Sequence, residues 1–135
     1  MKLYTIGYGA LRSNVQLAEI VDRLDAYLVD VRFSPMSRNP HWTKPALLSL
    51  FGDRYVACRE LGNENFRGGA IKLSDPPAAI ARLRPLLAER PLVLMCACRE
   101  VAVCHRQPAA ELLAKEFGVE VAHLPEGTRQ EVMVW

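Results

Sequence analysis

The sequence predicts one α/β domain, a single-domain three-layer sandwich with a mostly parallel sheet of about five strands and helices on both faces. Short apolar runs of strand length alternate with stretches of helical periodicity along the chain, the pattern of successive β-α-β units. No linker, repeat or low-complexity segment interrupts the alternation. With 135 residues, half of them hydrophobic and 24% charged, residues 1–135 suit one domain with enough apolar surface to offset the entropy of ordering the chain.

Lys2 to Ile6 reads as the first strand, broken by Gly7-Tyr8-Gly9, and Leu17, Ile20, Val21 and Leu24 then mark one helix face. Ala26 to Val31 is a buried-type second strand, followed by an irregular stretch, Phe33 to Trp42, that Pro35 and Pro40 stiffen. Thr43 is placed to cap a short helix. Tyr55 to Cys58 is the third strand, and Leu61 to Ser74, with Gly62, Gly68 and Gly69, is a long loop. Asp75 precedes a third helix whose core face is Ile80, Leu83 and Leu87. Leu92 to Met95, uninterrupted and apolar, is the central strand. A fourth helix runs from about Gln107 to Phe117 and closes at Gly118, before a fifth strand, Val119 to Leu124.

The net charge of +2 is too mild to mark a nucleic-acid binder by electrostatics, although thirteen of the seventeen basic residues are Arg. No apolar run approaches the roughly 18 residues of a membrane helix, and Met1 to Ile6 carries no signal-peptide pattern, so the expected location is the cytoplasm. The apolar segment Val132-Met133-Val134-Trp135 is expected to pack on the sheet, with a dimer contact as the alternative.

Ligands of such a sheet bind at the carboxyl ends of its strands, and the unusual polar residues fall there. Tyr8 follows strand one; Asp30, Arg32, Ser34, Ser37 and Arg38 follow strand two; Glu60 follows strand three. Strand four leads into Cys96, Cys98, Arg99, Cys104, His105 and Arg106, and strand five ends near His123. A helix beginning just after Arg106 would set Cys104, His105 and Arg106 at a dipole that stabilises anions, thiolates included. Arg32, Arg38 and Arg106 suit phosphate or carboxylate, with Ser34 and Ser37 adding hydrogen bonds. The plainer reading of the second loop is a surface segment in which Asp30 pairs with Arg32 or Arg38. Trp42 reads as core packing, Cys58 as a small buried hydrophobe.

The spacing Cys96-x-Cys98-x5-Cys104-His105 departs from paired zinc knuckles, and no Arg stands six positions after any of these cysteines, as phosphatase and rhodanese-like loops require. A disulfide joining Cys96 or Cys98 to Cys104 would be transient in a reducing compartment.

Tyr4-Thr5-Ile6-Gly7-Tyr8-Gly9, Asp30-Val31-Arg32-x-x-Pro35-x-Ser37-Arg38, Glu60-Leu61-Gly62 and Cys96-x7-Cys104-His105-Arg106 together resemble the family named for domain of unknown function 488. The resemblance implies an α/β domain that gathers these motifs at one site. Two positions depart from many relatives: Asn63 stands where they carry Gly, and Cys98 where they carry an acid, leaving Glu100 as the nearest carboxylate.

Three readings follow. The first is a small enzyme acting on a phosphorylated or otherwise anionic, nucleotide-like ligand. Its catalytic candidates are Cys104, His105, Cys96 and His123, and its binding candidates are Tyr8, Arg32, Ser34, Ser37, Arg38, Glu60 and Arg106. It needs no metal or other cofactor, no membrane, and either a monomer or a homodimer. The second is a non-catalytic module binding a nucleotide or nucleic acid through the same arginines, and the third is a structural zinc domain.

Overall fold

All five positions of the run Leu92–Cys96 are buried, because this strand has apolar neighbours on both faces and lies at the centre of the sheet. The computed structural model describes residues 2–34, 37–97 and 104–124. Its main elements are β1 (Leu3–Gly7), α1 (Asn14–Leu24), β2 (Tyr27–Asp30), α2 (Lys44–Phe51), β3 (Tyr55–Ala57), α3 (Pro76–Glu89), β4 (Leu92–Cys96), α4 (Arg106–Phe117) and β5 (Val121–Leu124). The strand order is β3-β2-β4-β1-β5, and every pairing is parallel.

Alternation along the strands feeds two separate cores. Ile6, Leu28, Val93 and Met95 pack with Leu17, Ile20 and Val21 of α1 and Leu47 and Phe51 of α2. Leu3, Val29, Leu92, Leu94 and Cys96 pack with Ala79, Leu83 and Leu87 of α3 and Ala109, Ala110 and Leu113 of α4. The expected sandwich is therefore present, with helices on both faces and a wholly rather than mostly parallel sheet. Three helices begin at side-chain caps, from Ser13 to Gln16 N, Thr43 to Ala46 N and Asp75 to Ala78 N. Gly118, at φ +66°, ends α4 in the left-handed region.

Strand ends move by one or two residues from the sequence reading. Cys96 belongs to β4 rather than to the loop after it, and α4 begins at Arg106 itself. β5 starts at Val121, two residues later than expected. Short 3-10 turns at Tyr8–Ala10, Pro40–Trp42, Gly52–Arg54 and Arg59–Leu61 went unread, since one i→i+3 turn leaves no periodic apolar signal. The 61–74 stretch, expected to be a plain loop, carries an antiparallel bridge between Asn63 and Leu73. Pro35, Cys98, Arg99, Glu100 and the Val132–Trp135 segment lie outside the described residues.

Gly62 fixes how the loops after β2 and β3 meet. A Cβ there would lie 2.4 Å from Phe33 Cα and 2.6 Å from Phe33 N, both backbone atoms that cannot step aside. Gly62→Ala is expected to lower stability by about 1–3 kcal/mol, as over-packing does. Urea unfolding of the two proteins measures it, and equal midpoints would show that the loops separate freely.

Candidate functional site

β1 and β2 lead to helices on one face of the sheet, whereas β4, lying between them, leads to α4 on the other. The chain therefore diverges on both sides of the carboxyl end of β4, the geometry that opens a crevice in parallel sheets. Backbone bonds tie the neighbouring loops to that point: Gly9 N donates to Ala97 O at 3.2 Å and Val31 N to Met95 O at 3.0 Å.

On the α1/α2 face of this strand end lies a buried ion pair. Arg32 donates from Nε to Asp30 Oδ1 at 2.8 Å and from Nη2 to Oδ2 at 2.7 Å, and its Nη1 reaches Trp42 O at 2.7 Å. Asp30 also accepts from Tyr55 Oη at 2.5 Å. Arg32 and Asp30 are 6% and 1% exposed, so this guanidinium is an internal strut with its fork filled by a carboxylate. Burial works against its charge, but the bonds and charge of Asp30 outweigh that and raise its pKa. Burial first, then Asp30, raises the Tyr55 phenol, which stays protonated. Tyr8 stacks on the buried Trp42 with ring centroids 4.5 Å apart and interplanar angle 12°, and Arg32 lies 5.5 Å from the Tyr8 centroid.

On the α3/α4 face stand the thiols. Cys96 and Cys104 are both buried, and Arg106, itself 1% exposed, donates from Nη1 to Cys96 Sγ at 3.5 Å. His105 Nε2 lies 2.7 Å from Val31 O. A carbonyl only accepts, so Nε2 carries a proton, and a ring holding that one proton keeps its lone pair on Nδ1. That nitrogen is 4.0 Å from Cys104 Sγ. Among the described residues no side chain caps α4, whose first turn starts beside this pair.

The remaining predicted residues do not join these two groups. Glu60 turns to α3, where both its oxygens lie 3.1 Å from Arg82 Nη1. Ser37 Oγ accepts from Asn39 N, and Ser34 and Arg38 are exposed. His123 Nδ1 meets Thr5 Oγ1 at 2.6 Å, within the β1–β5 ladder. β5 and β2 are three strand spacings apart, about 14 Å, so His123 stands away from the Asp30 cluster. Among the described residues no three His, Cys, Asp or Glu side chains are grouped to hold a metal ion. A groove of about 260 Å³ between the ends of α3 and α4, lined by Arg84, Leu87 and Phe117, lies at the opposite edge and contains none of the predicted residues. Sequence reasoning passed over Tyr55, whose phenol completes the Asp30 cluster; an apolar-looking strand gave no reason to assign it a polar partner.

A parallel α/β sandwich with thiol, imidazole and guanidinium groups around its central strand end defines the structural class. The chain belongs to the family described as Domain of unknown function DUF488, whose model matches residues 17–113. That stretch runs from α1 to α4 and takes in the loops after β2, β3 and β4. No curated protein and no solved structure matches the chain.

Two outcomes are expected of the buried groups. Arg32→Met leaves Asp30 charged and without its main partner, at a cost of about 3–5 kcal/mol, and adding Asp30→Asn should restore more than half of it in urea unfolding. Failure of the second change to restore anything would mean the Asp30 charge is not the source of the cost. Burial, then Glu60, pushes the Cys58 thiol up from 9.0 to about 11. A raised acid favours the fold below its unfolded pKa and loses that contribution as pH rises. Stability should therefore fall by about 1 kcal/mol between pH 9 and 10, and Cys58→Ala should flatten that step.

Proposed function

We propose that the chain is a thiol-dependent enzyme acting on an anionic small molecule, with Cys104 as nucleophile and His105 as its base. The observation that carries this reading is the His105 Nε2 bond to Val31 O, which sets the tautomer and turns a basic Nδ1 toward the neighbouring thiol. Catalytic contacts of this kind are often longer in the free enzyme than in the reacting complex, and the present separation is 4.0 Å. The uncapped start of α4 and Arg106 add positive potential where negative charge would develop.

The step conserves atoms and charge. Nδ1 takes the Sγ proton as sulfur bonds to an electrophilic carbon or phosphorus atom, and the departing group leaves with the proton from Nδ1. Water then cleaves the sulfur adduct, with Nδ1 again accepting a proton, and the thiol is regenerated. Arg32 serves by holding the Val31 segment rather than by gripping the ligand. The Arg106 bond to Cys96 anchors the start of α4 at the end of β4, and the exposed Arg38 and Ser34 are available to meet an incoming anion.

The test is iodoacetamide labelling against pH, read cysteine by cysteine by peptide mass spectrometry. Cys104 should label at least tenfold faster than Cys58 at pH 7, and His105→Gln should remove most of that advantage. Equal labelling of the two cysteines, or no effect of His105→Gln, would sink the nucleophile assignment.

A further inference from the structure

The loops after β2 and β3 build a ladder of rings and guanidinium groups beside the crevice. Arg59 lies 4.1 Å from the Phe33 ring centroid, the Phe33 and Phe66 centroids are 6.0 Å apart, and Arg67 lies 5.5 Å from the Phe66 centroid. Phe66 is 55% exposed, and Arg59 and Arg67 are exposed as well. A ring left this open forfeits hydrophobic stabilisation, yet the segment holding it is closely bonded. Asn63 Oδ1 accepts from Asn65 N and Lys72 N, Asn65 Nδ2 donates to Ala70 O, and Glu64 N donates to Lys72 O.

Charge selects the occupant. The two nearby carboxylates are already matched, Glu60 by Arg82 and Glu64 by Lys72. Among the described residues neither Arg59 nor Arg67 has an acidic partner, so the open ring is flanked by uncompensated positive charge. A flat ring carrying an anionic group complements this arrangement, with the ring on Phe66 and the anion at the guanidinium groups. Phe33 is two residues beyond Val31, whose carbonyl holds His105, so at most about 7 Å of backbone separates the Phe33 end of the ladder from the residue that bonds the imidazole.

We propose that Phe66, Phe33, Arg59 and Arg67 form a nucleobase-stacking face that takes a nucleoside monophosphate. The choice of one nucleotide over a longer strand rests on the thiol-site reading, in which the ligand is an anionic small molecule. The stacking itself stands without that reading.

Calorimetric titration of the whole protein with the four ribonucleoside 5′-monophosphates, ribose 5-phosphate and adenosine tests this. At least one nucleotide should bind at least tenfold more tightly than ribose 5-phosphate and than adenosine. Phe66→Ala, at an exposed position that folding does not require, should weaken it by about 5–150-fold. Nucleotide affinity and the labelling rate of Cys104 are measured separately, so failure of the stacking face and failure of the nucleophile assignment are told apart. No preference for any nucleotide, or no effect of Phe66→Ala, overturns the proposal. So does tighter binding of an eight-residue oligothymidylate through Phe66, or a dimer that Phe66→Ala converts to monomer in sedimentation, since either would assign the face to another occupant.

Discussion

The buried pairing of Asp30 with Arg32 is the constraint on which the carboxyl edge of the sheet depends. Two ionised groups removed from water are costly unless their hydrogen bonds are satisfied, and here the carboxylate receives two bonds from the Arg32 guanidinium, one from the Arg32 backbone N–H and one from Tyr55. The remaining arm of the guanidinium reaches Trp42 O and ties the far end of the segment back to β2. Trp42 in turn stacks on Tyr8, so one ion pair joins the loops after β1 and β2 to the strand β3.

Between those two charged residues sits Val31, and the alternation of an extended chain gives it a different task. Asp30 and Arg32 serve the α1/α2 side, whereas the Val31 side chain lies in the α3/α4 core. Its N–H continues the ladder to Met95, and its carbonyl receives His105. A tripeptide thus couples the ion pair to the imidazole without any side chain crossing the sheet. Disturbing Arg32 would move the Val31 carbonyl and, through it, the tautomer-setting bond of His105.

The strands and helices were readable because their apolar spacing is local, and the crowding of reactive residues at one edge followed from strand direction. The division of labour among the arginines was not. Asp30 and Arg32 stand two apart, a spacing shared by a salt bridge and an anion clamp, and only burial tells them apart. The His105 tautomer depends on a carbonyl 74 positions away, so no local pattern encodes it. Phe66 lies in a stretch marked by Gly68 and Gly69, where the glycines signalled a loop but not that Asn63 and Asn65 would brace it.

Buried and exposed arginines therefore do different physical work in this molecule. A guanidinium at 1–6% exposure, such as Arg106 or Arg32, has its position set by protein atoms before any ligand arrives, and it contributes field and shape. An exposed one, such as Arg59 or Arg67, keeps donors directed at solvent and can exchange water for an anion at little cost in internal bonding. In the proposed reading, binding of an anion at this edge falls to the exposed set, and orientation of the thiol and imidazole to the buried set. That division would keep the thiol and imidazole fixed while the exposed guanidinium groups exchange water for ligand.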